Sequence, residues 1–113
     1  MKVAYKRRVI YQDKNLELVI ILWPPGVSSP PHDHGKSRGA ALVVQGRVFA
    51  EDYSKHTKKF ISRGVFGVGQ CLAEDPSVIH VVGNNSRTRQ AVTLHIYIPP
   101  LKMKFYDPSE LQS

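Results

Sequence analysis

The sequence predicts an all-β fold, a barrel or sandwich of antiparallel strands. Short apolar runs rich in β-branched residues recur along the chain, and turns rich in Gly, Pro, Asn and Ser separate them. Almost no segment has the composition of a helix, so no helix is expected between the strands. The length of 113 residues argues for one domain with a single core.

The first predicted strand is the apolar run at residues 16–23, which lies between Asp-Lys-Asn and Pro-Pro-Gly. Because this run is apolar almost throughout, we expect it to be buried on both faces. Residues 40–45 and 47–53 are expected to form a hairpin around Gly46. Four further strands are predicted, at residues 60–61, 65–68, 78–82 and 91–98.

Residues 69–77 are predicted to form a turn. Within it, Glu74 and Asp75 are expected to cap the turn, and Cys71 is expected to be a small core residue. Cys71 is the only cysteine, which excludes an intrachain disulfide and favours a reducing, cytoplasmic setting.

The formal net charge is +7, and basic residues cluster within 6–8, 55–59 and 87–89. We interpret these clusters as solvated surface charge, because a nucleic-acid binder gathers such groups into one stripe with stacking aromatic residues. No apolar run approaches the ~20 residues of a membrane span, and no signal peptide is recognisable. We therefore expect neither nucleic acid nor a membrane as a partner.

The predicted strand at residues 91–98 has two different faces. Alternation places Thr93, His95 and Tyr97 on one face. The other face is apolar and consists of Val92, Leu94, Ile96 and Ile98. The polar row is either an outward-facing ladder or the lining of an internal cavity, and alternation alone does not choose between them.

A second group of polar residues is the pair His32 and His34. Two imidazoles at i and i+2 on extended backbone point to the same face, where they could together bind a metal ion. Taken alone, the pair fits an exposed or hydrogen-bonded role equally well.

The surroundings of the pair resemble the first motif of the cupin superfamily. In that motif a glycine, His-x-His and a later glycine follow one another, and here these are Gly26, His32, His34 and Gly46. The usual cupin has a glutamate ligand before the final glycine, and Gly39 stands at that position. The resemblance implies a cupin (jelly-roll) β-barrel that lacks this carboxylate.

The second cupin motif, His-x-x-x-Asn, is matched by His80 and Asn84. The implied metal ligands are therefore His32, His34 and His80. Three neutral imidazoles would leave a divalent metal its full charge and three open positions, an arrangement suited to non-haem Fe(II) (Fe²⁺). Zinc, nickel or copper could also bind to imidazole ligands.

A cupin with three histidines and no glutamate resembles the cysteine dioxygenase family of thiol dioxygenases. The N-terminal Tyr-Lys-Arg at 5–7 is similar to the family's Tyr-x-Arg. Residues 23–34 are similar to its Trp-x-x-Gly-x-x-Ser-Pro/Ser-x-His-Asp-His stretch, and residues 93–101 to its Ser-Leu-His-x-Tyr-x-Pro-Pro signature. Together these motifs cover nearly the whole chain.

The resemblance implies a role for each further residue. Arg7 would hold the carboxylate of the substrate, and Thr93, His95 and Tyr97 would form a hydrogen-bonded relay beside the iron. L-Cysteine would bind Fe(II) through its thiolate and amine, and both atoms of O2 would end on its sulfur. Gly39 replaces the cysteine that crosslinks to the tyrosine in mammalian members, so Tyr97 should be unmodified.

Alternatives remain at this point. The substrate could be another small thiol such as 3-mercaptopropionate, although Arg7 favours cysteine by resemblance. The chain could also be a minimal metal-binding cupin without turnover, and a sugar- or nucleic-acid-binding barrel is a more distant alternative. We expect one domain at residues 1–113, with a substrate-side N-terminal segment at 1–15 and a C-terminal tail at 101–113, as a monomer or homodimer.

Overall fold

A computed structural model describes residues 4–112 of the chain. Its strands in chain order are β1 (Lys6–Gln12), β2 (Glu17–Trp23), β3 (His32–Asp33), β4 (Arg38–Gln45), β5 (Arg47–Ser54), β6 (Phe60–Gly67), β7 (Cys71–Glu74), β8 (Val78–Gly83), β9 (Ala91–Ile98) and β10 (Lys104–Phe105). A 3-10 turn of helix at Pro108–Glu110 is the only helical element between residues 4 and 112. Over the same range, no helix has the length and apolar character needed to cross a membrane. The all-β prediction is confirmed.

The strands form two five-stranded antiparallel sheets. The first sheet has the order β1-β2-β9-β4-β7, and the second has the order β10-β3-β8-β5-β6. Inward-facing residues from both sheets belong to one hydrophobic cluster, in which Trp23 is the largest fully buried side chain. Since the neighbours of β9 come from distant parts of the chain, long-range pairing places the residues of the interior.

The polar face of β9 points into the interior. Thr93, His95 and Tyr97 are buried, whereas the even, apolar positions of the strand are half-buried or exposed. The inner neighbours of His95 across the sheet are Val19 on β2 and Ala41 on β4, and both are fully buried. The row therefore lies inside the barrel, which excludes the outward-facing ladder.

Strand β2 differs from the expectation that both of its faces are buried. Its odd positions, including Val19, are buried, but its even positions are only half-buried. The outer face of the first sheet remains apolar, because Ile20 on β2 and Leu42 on β4 flank Leu94 on β9. Cross-strand apolar pairs of this kind stabilise a sheet even where water reaches one side.

The predicted turn at residues 69–77 contains a strand, β7, which corrects three expectations. Leu72 and Glu74 alternate inward and are buried, whereas Cys71 is exposed and does not belong to the core. Glu74 does not cap a turn, although Asp75 does accept hydrogen bonds from the backbone and hydroxyl of Ser77. The four-residue strand is too short for composition to reveal it. Residues 60–67 are also one strand rather than two.

The C-terminal part of the described chain packs on the strand that carries the first histidines. β10 pairs with β3, and the carboxylate of Asp33 accepts hydrogen bonds from the Lys104 N–H at 3.3 Å and the Tyr106 hydroxyl at 2.7 Å. A third bond comes from the Gly35 N–H at 3.0 Å. Asp33 thus anchors residues 104–106 beside the two histidines that flank it.

Asn84 explains the second half of the His-x-x-x-Asn motif. Its side chain is buried, and its Nδ2 donates to the carbonyl oxygens of Trp23 at 3.1 Å and Arg89 at 2.7 Å. These bonds join the end of β8 to the end of β2 and to the loop before β9. The asparagine is therefore structural, and it holds in place the strand that carries His80.

Candidate metal centre

Two adjacent strands bring the three predicted histidines together. His32 lies on β3 directly opposite His80 on β8, and His34 follows two residues later on the same face as His32. The imidazole centroids are 5.2 Å apart for His32–His34 and for His34–His80, and 5.8 Å apart for His32–His80. All three side chains are buried.

Backbone carbonyls fix which ring nitrogen carries the proton in His32 and in His34. The Nδ1 atom of His32 lies 2.9 Å from the carbonyl oxygen of Pro30, and that of His34 lies 3.4 Å from the carbonyl oxygen of Asp75. A carbonyl oxygen only accepts, so each Nδ1–H donates and each Nε2 keeps its lone pair. Metal-bound histidines are oriented in this way by their second nitrogen.

Burial keeps these imidazoles neutral. Desolvation, with a smaller contribution from the nearby His80, lowers the pKa of His32 to about 3. Desolvation likewise lowers the pKa of His34, against the attraction of Glu74. Both rings therefore have the protonation state that a metal ligand requires.

The Nε2 atoms of His34 and His80 are buried and have no hydrogen-bond partner in the described part of the chain. Buried polar atoms in folded proteins are nearly always paired, so two unpaired atoms close together require a reason. Both would be satisfied by one cation between them. The donor set, neutral imidazole nitrogen, suits divalent iron, zinc, nickel or copper.

Glu74 is a member of the site that the sequence analysis missed. Its carboxylate Oε1 lies 3.8 Å from the Nε2 of His34 and 3.9 Å from the Nε2 of His80, and its side chain is 2% exposed. These three residues form a group that could hold a metal ion. The alternation of Leu72 and Glu74 spans only a four-residue strand, which is too short a signal to place the carboxylate on a buried face from sequence alone.

Glu74 is ionised in this environment. Burial raises the pKa of a carboxyl group, but the attraction of His95, its hydrogen bond, and the further attraction of His80 and His34 outweigh burial and lower the pKa to about 2. The site therefore contains a buried negative charge beside the imidazoles.

The polar row of β9 is a directed chain of hydrogen bonds that ends at Glu74. The Trp23 indole N–H donates to the Thr93 hydroxyl at 2.9 Å, and that hydroxyl donates to the Nε2 of His95 at 2.6 Å. An indole only donates and a carboxylate only accepts, so with one proton on the imidazole of His95 the chain runs from Trp23 to Glu74. The Nδ1–H of His95 then faces the Tyr97 oxygen at 3.0 Å and the Glu74 Oε2 at 3.3 Å.

Tyr97 completes this network. Its hydroxyl donates to the Oε1 of Glu74 at 3.3 Å. Burial, followed by the charge of Glu74 and this hydrogen bond, raises the pKa of Tyr97 well above its ordinary value. The phenol is therefore protonated near neutral pH and is a hydrogen-bond donor inside the site.

Arg7 lies on β1 and lines a small cavity that His32 and Glu74 of the candidate centre also line. The cavity wall includes Tyr5, Arg7, His32, Glu74, His95 and Tyr97. The guanidinium Nη2 pairs with the buried carboxylate of Glu17 at 3.0 Å, which holds the arginine in place while a quarter of its side chain remains exposed. The ring of Tyr5 packs against Trp23 at a centroid distance of 4.9 Å.

A larger and more open cleft of about 600 Å³ lies elsewhere, beside Arg47, Phe49 and Arg89. None of its lining residues is a histidine, cysteine, aspartate or glutamate. It lacks the titratable and metal-binding groups that accompany catalysis, so the smaller cavity is the candidate site.

Asp52 provides a first test of the candidate centre. Its Oδ1 lies 2.6 Å from the Nδ1 of His80 and orients that ring. Because loss of such a partner typically weakens metal binding about 10–100-fold, we expect that loss in Asp52→Asn, measured by chelator competition. Glu51→Gln removes the same charge one residue away, from an ion pair with Arg63, and should bind metal as wild type does. Equal affinity in both variants would contradict the assignment of His80.

Comparison of solved structures shows the fold. A double-stranded β-helix protein from Klebsiella pneumoniae superposes with a TM-score of 0.76 at 13% identity, covering 91% of this chain and 84% of its own. The cupin domain of Schizosaccharomyces pombe Cnp3 superposes with a TM-score of 0.73 at 7% identity, covering 88% and 65%. The predicted cupin architecture is confirmed.

Sequence comparison shows the family. Human cysteine dioxygenase type 1 is 32% identical over 103 residues, which cover 85% of this chain and 52% of the human protein. The zebrafish (Danio rerio) protein is 29% identical over 106 residues. The chain thus spans about half the length of the curated relatives it matches. The family profile named cysteine dioxygenase type I matches residues 2–109, and the chain belongs to this family.

Proposed function

We propose that this protein is an Fe(II)-dependent thiol dioxygenase whose main substrate is L-cysteine. The reaction adds both atoms of O2 to the thiol sulfur, so that one R–SH and one O2 give one sulfinic acid, and no external reductant is consumed. The observation that carries the proposal is the pair of buried, unpartnered Nε2 atoms on His34 and His80. Their neighbours His32 and Glu74 line the same cavity as Arg7.

His32, His34 and His80 are the proposed iron ligands. Their Nδ1 atoms are held by Pro30 O, Asp75 O and Asp52 Oδ1. Fe(II), when bound, supplies the redox chemistry that lets dioxygen react with a thiolate. The protein contributes neutral nitrogen donors, a buried position and the orientation of the thiol.

Arg7 is proposed to bind the carboxylate of the substrate. A guanidinium presents paired donors in a fixed plane, which suits a carboxylate better than an ammonium does. Glu17 accepts a hydrogen bond from the Nη2 of Arg7 and fixes the side chain. Among residues 4–112, no other side-chain acceptor bonds to the guanidinium, so its remaining N–H groups can bind the substrate. 3-Mercaptopropionate also has a thiol and a carboxylate, and it is the alternative substrate.

Tyr97, His95 and Thr93 are proposed to form the catalytic relay. Thr93 fixes the tautomer of His95, and His95 in turn contacts the hydroxyl of Tyr97. The one O–H of the phenol bonds to Glu74 in the substrate-free site. Turned toward the substrate, it would donate a hydrogen bond where negative charge develops on the substrate or on dioxygen, which favours the transition state over the ground state.

The cellular setting is part of the proposal. A single, exposed cysteine, Cys71, is compatible with a reducing cytoplasm, where it would not form a disulfide between chains. Monomer and homodimer are both compatible with the proposed chemistry.

The test measures bound metal first and then oxygen uptake and sulfinate formation with cysteine, 3-mercaptopropionate and cysteamine. We expect iron in the purified protein, one O2 consumed per sulfinate formed, and the fastest turnover with cysteine. Iron without oxygen uptake on any thiol would overturn the enzyme function and leave a metal-binding cupin. Faster turnover of 3-mercaptopropionate would reassign the substrate.

A further inference from the structure

We propose that Glu74 is a fourth protein ligand of the metal, so that a carboxylate from β7 replaces the one absent from β4. The sequence offers only glycine at the usual cupin position, Gly39. The structure pairs Gly39 directly with Glu74 across β4 and β7. The negative charge is therefore supplied at the same level of the barrel, one strand away.

The packing around Gly39 explains why the carboxylate comes from the neighbouring strand. A Cβ atom built on Gly39 would collide with the carbonyl oxygen of Ile96 and lie 3.0 Å from the Cδ1 of Tyr97. β4 and β9 thus leave no room there for a side chain. The same glycine opens a passage between its two partners, Glu74 on β7 and Tyr97 on β9.

Glu74 and Tyr97 meet across this passage. Strands two places apart in a sheet are separated by about 9.6 Å, so only long side chains can touch over the middle strand. The Tyr97 hydroxyl reaches the Oε1 of Glu74 at 3.3 Å, and the His95 Nδ1 faces the Oε2 at 3.3 Å. Two donors from β9 therefore hold the carboxylate in one orientation, as ligating carboxylates usually are.

The distances to the imidazoles fit coordination of a shared ion. Two atoms bound to one ion at about 2.1 Å are at most about 4.2 Å apart. The Oε1 of Glu74 lies 3.8 Å and 3.9 Å from the unpartnered Nε2 atoms of His34 and His80. Both separations are too long for a hydrogen bond, and both are within the limit for ligands of a common ion.

A fourth ligand changes what the site accepts, and this step rests on the proposed dioxygenase function. Three imidazoles and one carboxylate reduce the net charge of a divalent site from +2 to +1, which weakens its attraction for an anionic thiolate. The guanidinium of Arg7, which lines the same cavity as Glu74, then matters more for holding the substrate. Thiols that carry a carboxylate, cysteine among them, form the matching substrate class.

The test uses the full chain stripped of metal and reloaded with Co(II), whose visible absorption reports its ligands. We expect Glu74→Gln to weaken Co(II) binding at least tenfold in chelator competition and to change the absorption bands. Glu74→Asp keeps the charge but shortens the side chain, and should rescue neither property fully. Glu51→Gln, which removes a carboxylate from a surface ion pair, should match wild type in both.

The outcomes separate this inference from the proposed function. Wild-type affinity and absorption in Glu74→Gln would overturn coordination by Glu74. Weaker binding of Co(II) with unchanged absorption bands would overturn it as well, since the loss would then come from charge alone. If Glu74→Gln does not fold, the wild-type protein is used instead, and the infrared spectra of its metal-free and Co(II) forms are compared. A carboxylate band that does not shift when Co(II) binds would overturn coordination by Glu74.

The same Co(II) protein is used to test which class of thiol binds. Cysteine and 3-mercaptopropionate, which both carry a carboxylate, should change its spectrum at lower concentrations than cysteamine, and equal affinities for all three thiols would overturn the preference for thiol carboxylates. Co(II) data as expected, with no thiol oxidation by the iron form, would refute the dioxygenase and leave Glu74 a ligand.

Discussion

Replacing His80 by alanine is expected to abolish iron binding and thiol-dependent oxygen uptake. The loss should exceed the ~10–100-fold that removal of an orienting partner causes, because a ligand itself is removed. The measurements are metal content after dialysis, affinity by chelator competition, and oxygen uptake with cysteine. The removed imidazole is 1% exposed, so the metal-free variant must also be checked for folding by circular dichroism and thermal unfolding.

The matched control for this prediction is His56→Ala. His56 lies in the exposed turn between β5 and β6, outside the barrel interior, and its loss should leave metal content and turnover unchanged. Asp52, the partner of His80, is partly exposed, so water can satisfy its carboxylate when the imidazole is removed. A folded His80→Ala protein with wild-type iron content would end the assignment of the centre.

The sequence predicted β2, β4, β5, β8 and β9 because their signals are local. Strand β1, which begins with three basic residues, was not predicted, and β6 was predicted as two shorter strands. Alternation over eight residues placed residues 91–98 correctly as a strand, and the burial of its odd positions follows from its pairing with β2 and β4. The short strands β3, β7 and β10 have two to four residues and no pattern of their own. They form because their backbones complete a sheet, and this long-range pairing is not encoded in their composition.

The residues of the candidate site also differ in whether the sequence alone could predict them. His32 and His34 could be predicted as a pair because strand periodicity places them on one face, and motif spacing added His80. Glu74 could not, because its place in the site depends on the register between β7 and β4. A glycine at residue 39 was interpreted as the loss of a carboxylate, whereas in the folded chain it makes room for one from the next strand.

Replacing Arg7 by glutamine is expected to raise the KM for cysteine about 10–100-fold with a smaller effect on kcat. Hydrogen bonds to a charged group contribute about 1.5–3 kcal/mol, and 1.4 kcal/mol corresponds to a factor of ten. Cysteamine has no carboxylate for Arg7, so its KM should not change, and this comparison separates substrate binding from general damage. Glu17 keeps the Gln12 side chain and the Leu101 N–H as donors, which supports folding of the variant.

The matched control is Arg8→Gln, which removes the same charge from the next residue. Arg8 is exposed and points away from the cavity that Arg7 lines, because neighbouring side chains on a strand alternate between faces. Long-range attraction of an anionic thiol by the positive surface would be weakened equally in both variants. A KM for cysteine that rises equally in Arg7→Gln and Arg8→Gln would therefore assign the effect to general charge and remove Arg7 from the substrate site.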